Sequence, residues 1–179
     1  MLHNRAAMVE SAAVLLRSDG PAGVTVDAVS SRANLTHGSF YKHFDSKEAL
    51  IVEALSAAVE QRRTAMKARE AAPDGDTLPA FAMAYLSRGQ RDHPGDGCVA
   101  AALAGAVASD PAGPLGEGFR TAVDDLVAAV QTRRPHADEK DVLADVALMV
   151  GSLELSRATR GTNRSDKFLD AALERLMHS

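Results

Sequence analysis

The chain has one cysteine, Cys98, no tryptophan, and aromatic residues at only 4% of its 179 positions. A single cysteine excludes an internal disulfide and fits a reducing compartment. Scarce aromatics beside abundant Ala and Leu argue against a sheet of aromatic and β-branched pairs, and for helices packed through small side chains. Long hydrophobic runs are missing as well. The longest, Cys98 to Ala108, is far short of the ~20 residues that span a bilayer. No basic-then-apolar signal opens the chain, so a cytoplasmic protein with no membrane partner is expected. Also absent are a phosphate-cradling Gly-rich loop, a Gly-x-Ser-x-Gly elbow and a His-Glu-x-x-His pair. His3, His93, His136 and His178 lack metal-ligand spacing, and His37 and His43 would point to different faces of a helix. These absences predict no catalytic residue, no metal and no cofactor, and hence a protein that is not an enzyme. Nor is there an excess of positive charge: the net charge is −4, so any contact with a polyanion has to be local.

What is present is 46% hydrophobic content without repeats or low-complexity tracts, which predicts a globular all-α chain. Its most informative stretch runs from Val24 to Leu50, VTVDAVSSRANLTHGSFYKHFDSKEAL. Thr25 is placed to cap a short helix, and Asp27 lies in the first turn, where the helix dipole favours an anion. Val26, Val29 and Ala33 share one face. Asn34 tolerates the left-handed backbone that ends a helix, and Leu35 anchors the turn. Thr36 is placed to cap a second helix, predicted over His37 to His43. Phe40 and Phe44 form its buried side, with His37, Ser39, Tyr41 and Lys42 outward. Ser46 then reads as the N-cap of a long helix beginning at Lys47. Together these are the parts of a DNA-reading helix-turn-helix.

At these residues the sequence resembles the tetracycline-repressor (TetR) family of bacterial transcriptional regulators. The family's Gly-x-x-Tyr-x-His-Phe-x-x-Lys-x-x-Leu is met by Gly38, Tyr41, His43, Phe44, Lys47 and Leu50. Two departures are mild: Val29-Ser30 stands for the usual Ile-Ala, and Asn34 for the usual turn Gly. The close match covers about the first fifty residues. The resemblance implies phosphate contacts from Thr25, Tyr41, His43 and Lys47 and base-edge contacts from His37, Ser39 and Lys42, with His43 alternatively a cap or packing residue. Those chemistries suit the roles. Thr36 belongs to the same surface, and Gly38, lacking a side chain, would let the backbone approach DNA. Asp27 has two readings, as a dipole partner or as an acceptor from a cytosine amino group. Because Arg5, Arg17, Arg32, Lys42 and Lys47 are balanced by Glu10, Asp19, Asp27, Asp45 and Glu48, affinity is expected from geometry and two-fold symmetry more than from bulk charge.

Elsewhere the periodicity predicts a helix from His3 to Ser18, with Val9, Ala12, Ala13 and Leu16 on one side, stopped at Asp19-Gly20-Pro21. It also predicts a rod from Lys47 to Glu70, a loop over Ala72 to Asp76, and a Thr77-capped helix to Asp92. An Ala-rich helix over Cys98 to Ala108 is expected in the middle of the body. Two long helices follow, striped with Phe119, Val123, Leu126, Val127 and Val130, and with Val142, Val146, Met149, Val150 and Leu153. A closing helix is predicted over Lys167 to Met177. The division expected is a helix-turn-helix DNA-binding domain, residues 1–46, and a helical ligand-binding and dimerisation domain, residues 47–179.

The resemblance implies a homodimer joined by the last two long helices, a double-stranded DNA operator as partner, and release by a small-molecule inducer bound in the body. The alternative, that the stripes face the subunit's own core, is kept as the lesser reading. Met83, Tyr85, Leu86, Cys98, Leu103 and Met149 are the candidate apolar pocket. Cys98, after a Pro-Gly-rich segment and at a helix start, is either an inert buried thiol or an electrophile or redox sensor.

Overall fold

The computed structural model describes residues 2–70 and 77–178, and every regular element among them is helical. The order is α1 (Leu2–Gly23), α2 (Val26–Arg32), α3 (His37–Phe40), α4 (Lys47–Glu70), α5 (Leu78–Tyr85), α6 (Arg88–Asp92), a 3-10 turn (Pro94–Asp96), α7 (Val99–Ser109), α8 (Gly116–Arg133), α9 (Glu139–Ala158) and α10 (Asn163–Met177). The all-α expectation holds. The loop expected over Ala72 to Asp76 lies outside the described residues.

The chain folds as two compact units, Met1–Arg62 with Pro94–Ala122, and Arg63–His93 with Val123–Ser179. Packing thus groups the chain differently from a functional division at residue 46. In the first unit α1 buries Met8, Ala12, Ala13 and Leu16 against Val29, Phe40 and Phe44 and against the α4 face of Leu50, Ala54, Leu55 and Ala58. Met8, not Val9, leads that face, and Val9 is half-buried. The break after Ser18 is where the sequence puts it: Gly20 has φ 68°, a left-handed conformation that interrupts α1 before Pro21. The Ala-rich α7 packs on α1, burying Val99, Leu103 and Val107 in this unit's core. It therefore belongs with the helix-turn-helix segment and not in the middle of the body. Its small side chains let two helices approach closely. Arg17 of α1, 7% exposed, donates to the Gly95 carbonyl and, at 2.9 Å, to Gln61 of α4.

In the second unit α10 packs on α9 and α5, and α6 packs on α9. The single helix predicted from Thr77 to Asp92 is two. Thr77 caps the first through the Ala80 N–H, at 3.3 Å. Ser87 then captures the Gln90 N–H at 3.2 Å and starts a second helix, as a short hydroxyl side chain tends to do. The closing helix begins at Asn163, four residues before the predicted Lys167, because Thr162 caps it by accepting from the Arg164 N–H at 3.2 Å. Arg91 joins α6 to α10, donating to Ser165 at 3.1 Å and to the Asp166 carboxylate. Hydrogen bonds from Arg91 hold the Asp92 and Asp166 carboxyls below the usual range.

The stripe of α9 resolves one open reading. Val142, Val146, Met149 and Leu153 are at most 7% exposed and lie in the subunit core. These four are therefore not the dimer face. The outward side of α9 carries Leu143 and Leu155, 47% and 48% exposed, with Ala144 and Ala147 also exposed between them. A carboxylate at position 146 would be buried without a partner, at a penalty of several kcal/mol against a total stability of about 5–15 kcal/mol. Val146→Glu is expected to abolish cooperative thermal unfolding monitored by circular dichroism. A well-folded Val146→Glu protein would contradict this placement.

Candidate nucleic-acid interface

The helix-turn-helix is assembled by local backbone chemistry. The Thr25 hydroxyl accepts from the Ala28 N–H at 3.1 Å and caps α2, whose first turn carries Asp27. At the other end of α2 the Asn34 N–H donates to the Ser31 carbonyl at 3.1 Å and the Leu35 N–H to the Ser30 carbonyl at 2.9 Å. With Asn34 at φ 54°, this is a Schellman closure, in which a left-handed residue lets the chain turn back over the helix end. Leu35 completes it by packing on the core.

The reading helix is shorter than the predicted His37 to His43. α3 ends at Phe40, and Tyr41 to His43 form a tighter continuation, in which the His43 N–H donates to the Phe40 carbonyl at 2.9 Å. Thr36 occupies the N-cap position in extended conformation, but its side chain makes no capping bond. The Ser39 N–H, which that hydroxyl would have met, donates to the Thr36 carbonyl at 2.9 Å. Ser46 does cap α4, accepting from the Ala49 N–H at 3.1 Å.

Phe40 is completely buried and Phe44 5% exposed, with ring centroids 5.7 Å apart. The Arg5 guanidinium lies 4.7 Å from the Phe44 ring centre and pairs with Glu53 of α4. Over this floor Thr36, His37, Gly38, Tyr41 and Lys42 are exposed, Ser39 and His43 are half-buried, and Lys47 is half-buried at the start of α4. Tyr41 is 62% exposed. Thr25, one helix back, is also exposed. The predicted residues are thus all at least partly exposed, and those from Thr36 to Lys47 are so within one short stretch of chain. Gly38 has space around it, because a Cβ there would meet nothing within 4 Å. Intramolecular packing does not demand its glycine. One contact went unnoticed in the sequence: His37 Nδ1 lies 2.6 Å from Asp27 Oδ1, across ten residues of chain.

The candidate apolar pocket is divided. Met83, Tyr85, Leu86 and Met149 lie in the second unit, and Cys98 and Leu103 in the first. Tyr85, Leu86, Leu103 and Met149 are at most 1% exposed, Cys98 is 4% exposed, and Met83 is 48% exposed. Two described surface hollows involve none of them. One, about 280 Å³, is lined by Pro21, Ala22, Lys47, Glu48, Ile51, Pro114 and Leu115. The other, about 460 Å³, lies at the turn from Arg134 to Asp141. Among the described residues no cluster of His, Cys, Asp and Glu could hold a metal ion, and no helix is long and apolar enough to cross a membrane.

Residues 9–54 match the sequence model of the bacterial regulatory proteins of the tetR family. No curated protein matches the chain in sequence. Among solved structures, a TetR transcriptional regulator from Chloroflexus aurantiacus superposes with a TM-score of 0.76 at 23% identity, over 99% of this chain and 93% of that one. The reduced form of NemR from E. coli gives 0.75 at 20% identity, over 98% and 95%. The multidrug binding protein EbrR, complexed with imidazole, gives 0.63 at 22% identity, over 96% and 93%. The chain thus resembles the TetR-family transcriptional regulators: it carries their all-helical fold from end to end and their helix-turn-helix at its N-terminus.

Proposed function

We propose that the protein is a ligand-responsive transcriptional repressor of the cytoplasm, which binds a palindromic DNA operator as a homodimer and leaves it when a small molecule occupies the C-terminal region. In functional terms residues 1–46 are the DNA-binding domain and residues 47–179 the ligand-binding and dimerisation domain. The observation that carries this reading is the α3 surface, a polar exposed face held over a fully buried Phe40. Tyr41, His43, Lys47 and Thr25 meet phosphates, Thr36 lies beside them, and His37, Ser39 and Lys42 face the base edges. Gly38 keeps the backbone close to DNA.

Pairing supplies the second half-site. The outward face of α9 presents Leu143, Ala147, Val150, Gly151 and Leu155 at helical spacing, a partly apolar strip suited to its own copy across a two-fold axis. EbrR, of similar fold, is described as a multidrug binding protein and was solved with proflavin as well as imidazole. By analogy the inducer meets the apolar side chains Met83, Tyr85, Leu86 and Met149. Helix α4 begins beside the reading helix, and its last residues belong to the second unit, so it is the lever by which occupancy changes head spacing. The ligand acts only through different affinities for the DNA-fitting and non-fitting forms. The alternative of a thiol sensor at Cys98 is disfavoured by its 4% exposure, since an oxidant or electrophile has to reach the sulfur.

Binding-site selection from random duplexes, followed by titration of the enriched sequence, tests the reading. Tyr41→Ala with Lys47→Ala is expected to weaken binding across all sequences and to reduce the salt slope by about one per subunit for Lys47. Unchanged DNA retention by this double variant would refute the surface. Gly38→Ala separates packing from recognition. It should leave the melting temperature equal or higher, because Ala is favoured over Gly in a helix by roughly 0.5–1 kcal/mol, while DNA affinity falls. Light scattering addresses pairing: Leu155→Glu should give a folded monomer, and a folded dimer would exclude this α9 face.

A further inference from the structure

The contact between Asp27 and His37 has no role in capping or in the core. Asp27 already lies in the first turn of α2, and the side chains of the two residues are 86% and 56% exposed. Their atoms nevertheless meet at 2.6 Å, Oδ1 to Nδ1. A carboxylate only accepts, so the proton of this bond resides on the imidazole Nδ1. The ring is flanked on another side by Tyr41, with centroids 5.7 Å apart and planes tilted by 49°. His37 is the first residue of α3, where its ring orientation determines which atom the reading helix offers outward.

We infer that Asp27 is a positioning residue that sets the specificity of His37: by accepting the hydrogen bond from Nδ1–H it leaves Nε2 as the atom that reads a base edge. A neutral ring so held presents a lone pair at Nε2. That acceptor suits the exocyclic amino group of adenine or cytosine in the major groove and offers nothing to the acceptors of guanine or thymine O4. Without the carboxylate the other tautomer becomes equally available, and its Nε2–H donates to the bases the first one rejects. Asp27 therefore contributes discrimination at one base pair without touching it. Simple electrostatics predicts something different: loss of an anion near phosphate raises affinity for all sequences alike.

The inference rests on the regulator reading, and the experiment keeps the two apart. Sites are selected from random duplexes by the wild type, Asp27→Asn, His37→Ala and the double variant. Asp27 is at the surface, so Asp27→Asn folds, and it preserves side-chain shape while its amide accepts or donates to either tautomer. The wild type is expected to prefer adenine or cytosine at one position of each half-site. Asp27→Asn should reduce that preference roughly five- to tenfold and leave the other positions unchanged. In the His37→Ala background, Asp27→Asn should have no further effect on preference. A preference unchanged by Asp27→Asn overturns the inference while leaving the regulator reading intact. So does a change that persists without His37, because Asp27 would then read the base itself. A wild type that enriches no sequence overturns the regulator reading, and this inference falls with it.

Discussion

Burial of Phe40 and Phe44 is the interaction on which the reading head depends. α3 is four residues long, too short for its own hydrogen bonds to sustain in water. What keeps it in place is one completely buried ring and a second at 5% exposure. Each side chain so buried contributes roughly 1.5–3 kcal/mol by area alone. The polar face above is therefore positioned from below by α1 and α4, and Arg5 secures the edge by lying on the Phe44 ring while paired with Glu53. A surface set by such a floor changes its offered chemistry easily and its geometry with difficulty.

The small part that the balanced charges of the sequence leave to bulk charge is reduced further by the fold. Five basic residues precede position 50, but Arg17 is 7% exposed and bonded to Gly95 and Gln61, and Arg5 is engaged with Glu53. Arg32, Lys42 and Lys47 remain on or near the surface. Non-specific attraction to a polyanion rises with the number of cations it can neutralise. In the proposed regulator, a head with few of them relies on fit and orientation.

How much was legible in the sequence follows from the range of each interaction. Thr25, Asn34, Ser46 and Thr77 act on backbone groups within a few residues, so their capping and turning roles were readable directly, and Gly20 with Pro21 likewise marked the break in α1. The Phe40 and Phe44 spacing disclosed the buried floor. The length of α3 was not readable, because a 3-10 continuation and an α-helix bury the same Phe pair. Ser87 looked like an ordinary interior residue of a helix until its hydroxyl was seen to capture a backbone N–H. The α9 stripe was ambiguous for another reason: that helix is apolar on two sides, and composition does not tell which one its own subunit covers. The Asp27 and His37 contact joins two helices through a turn, beyond the reach of periodicity.

The tie between Arg17 and Gly95 alters what counts as part of the helix-turn-helix unit. Gly95 is far from the helix-turn-helix in sequence, yet a Cβ at that position would come within 2.7 Å of Val14 Cγ1 on α1. Met8, Ala12, Ala13 and Leu16 of α1 share one buried core with Phe40 and Phe44. The short bend at Pro94–Asp96 is thus a mechanical component of the head, wedged behind its backing helix. The support of the helix-turn-helix is accordingly encoded in two separate tracts of the sequence, one of them nowhere near the recognisable motif.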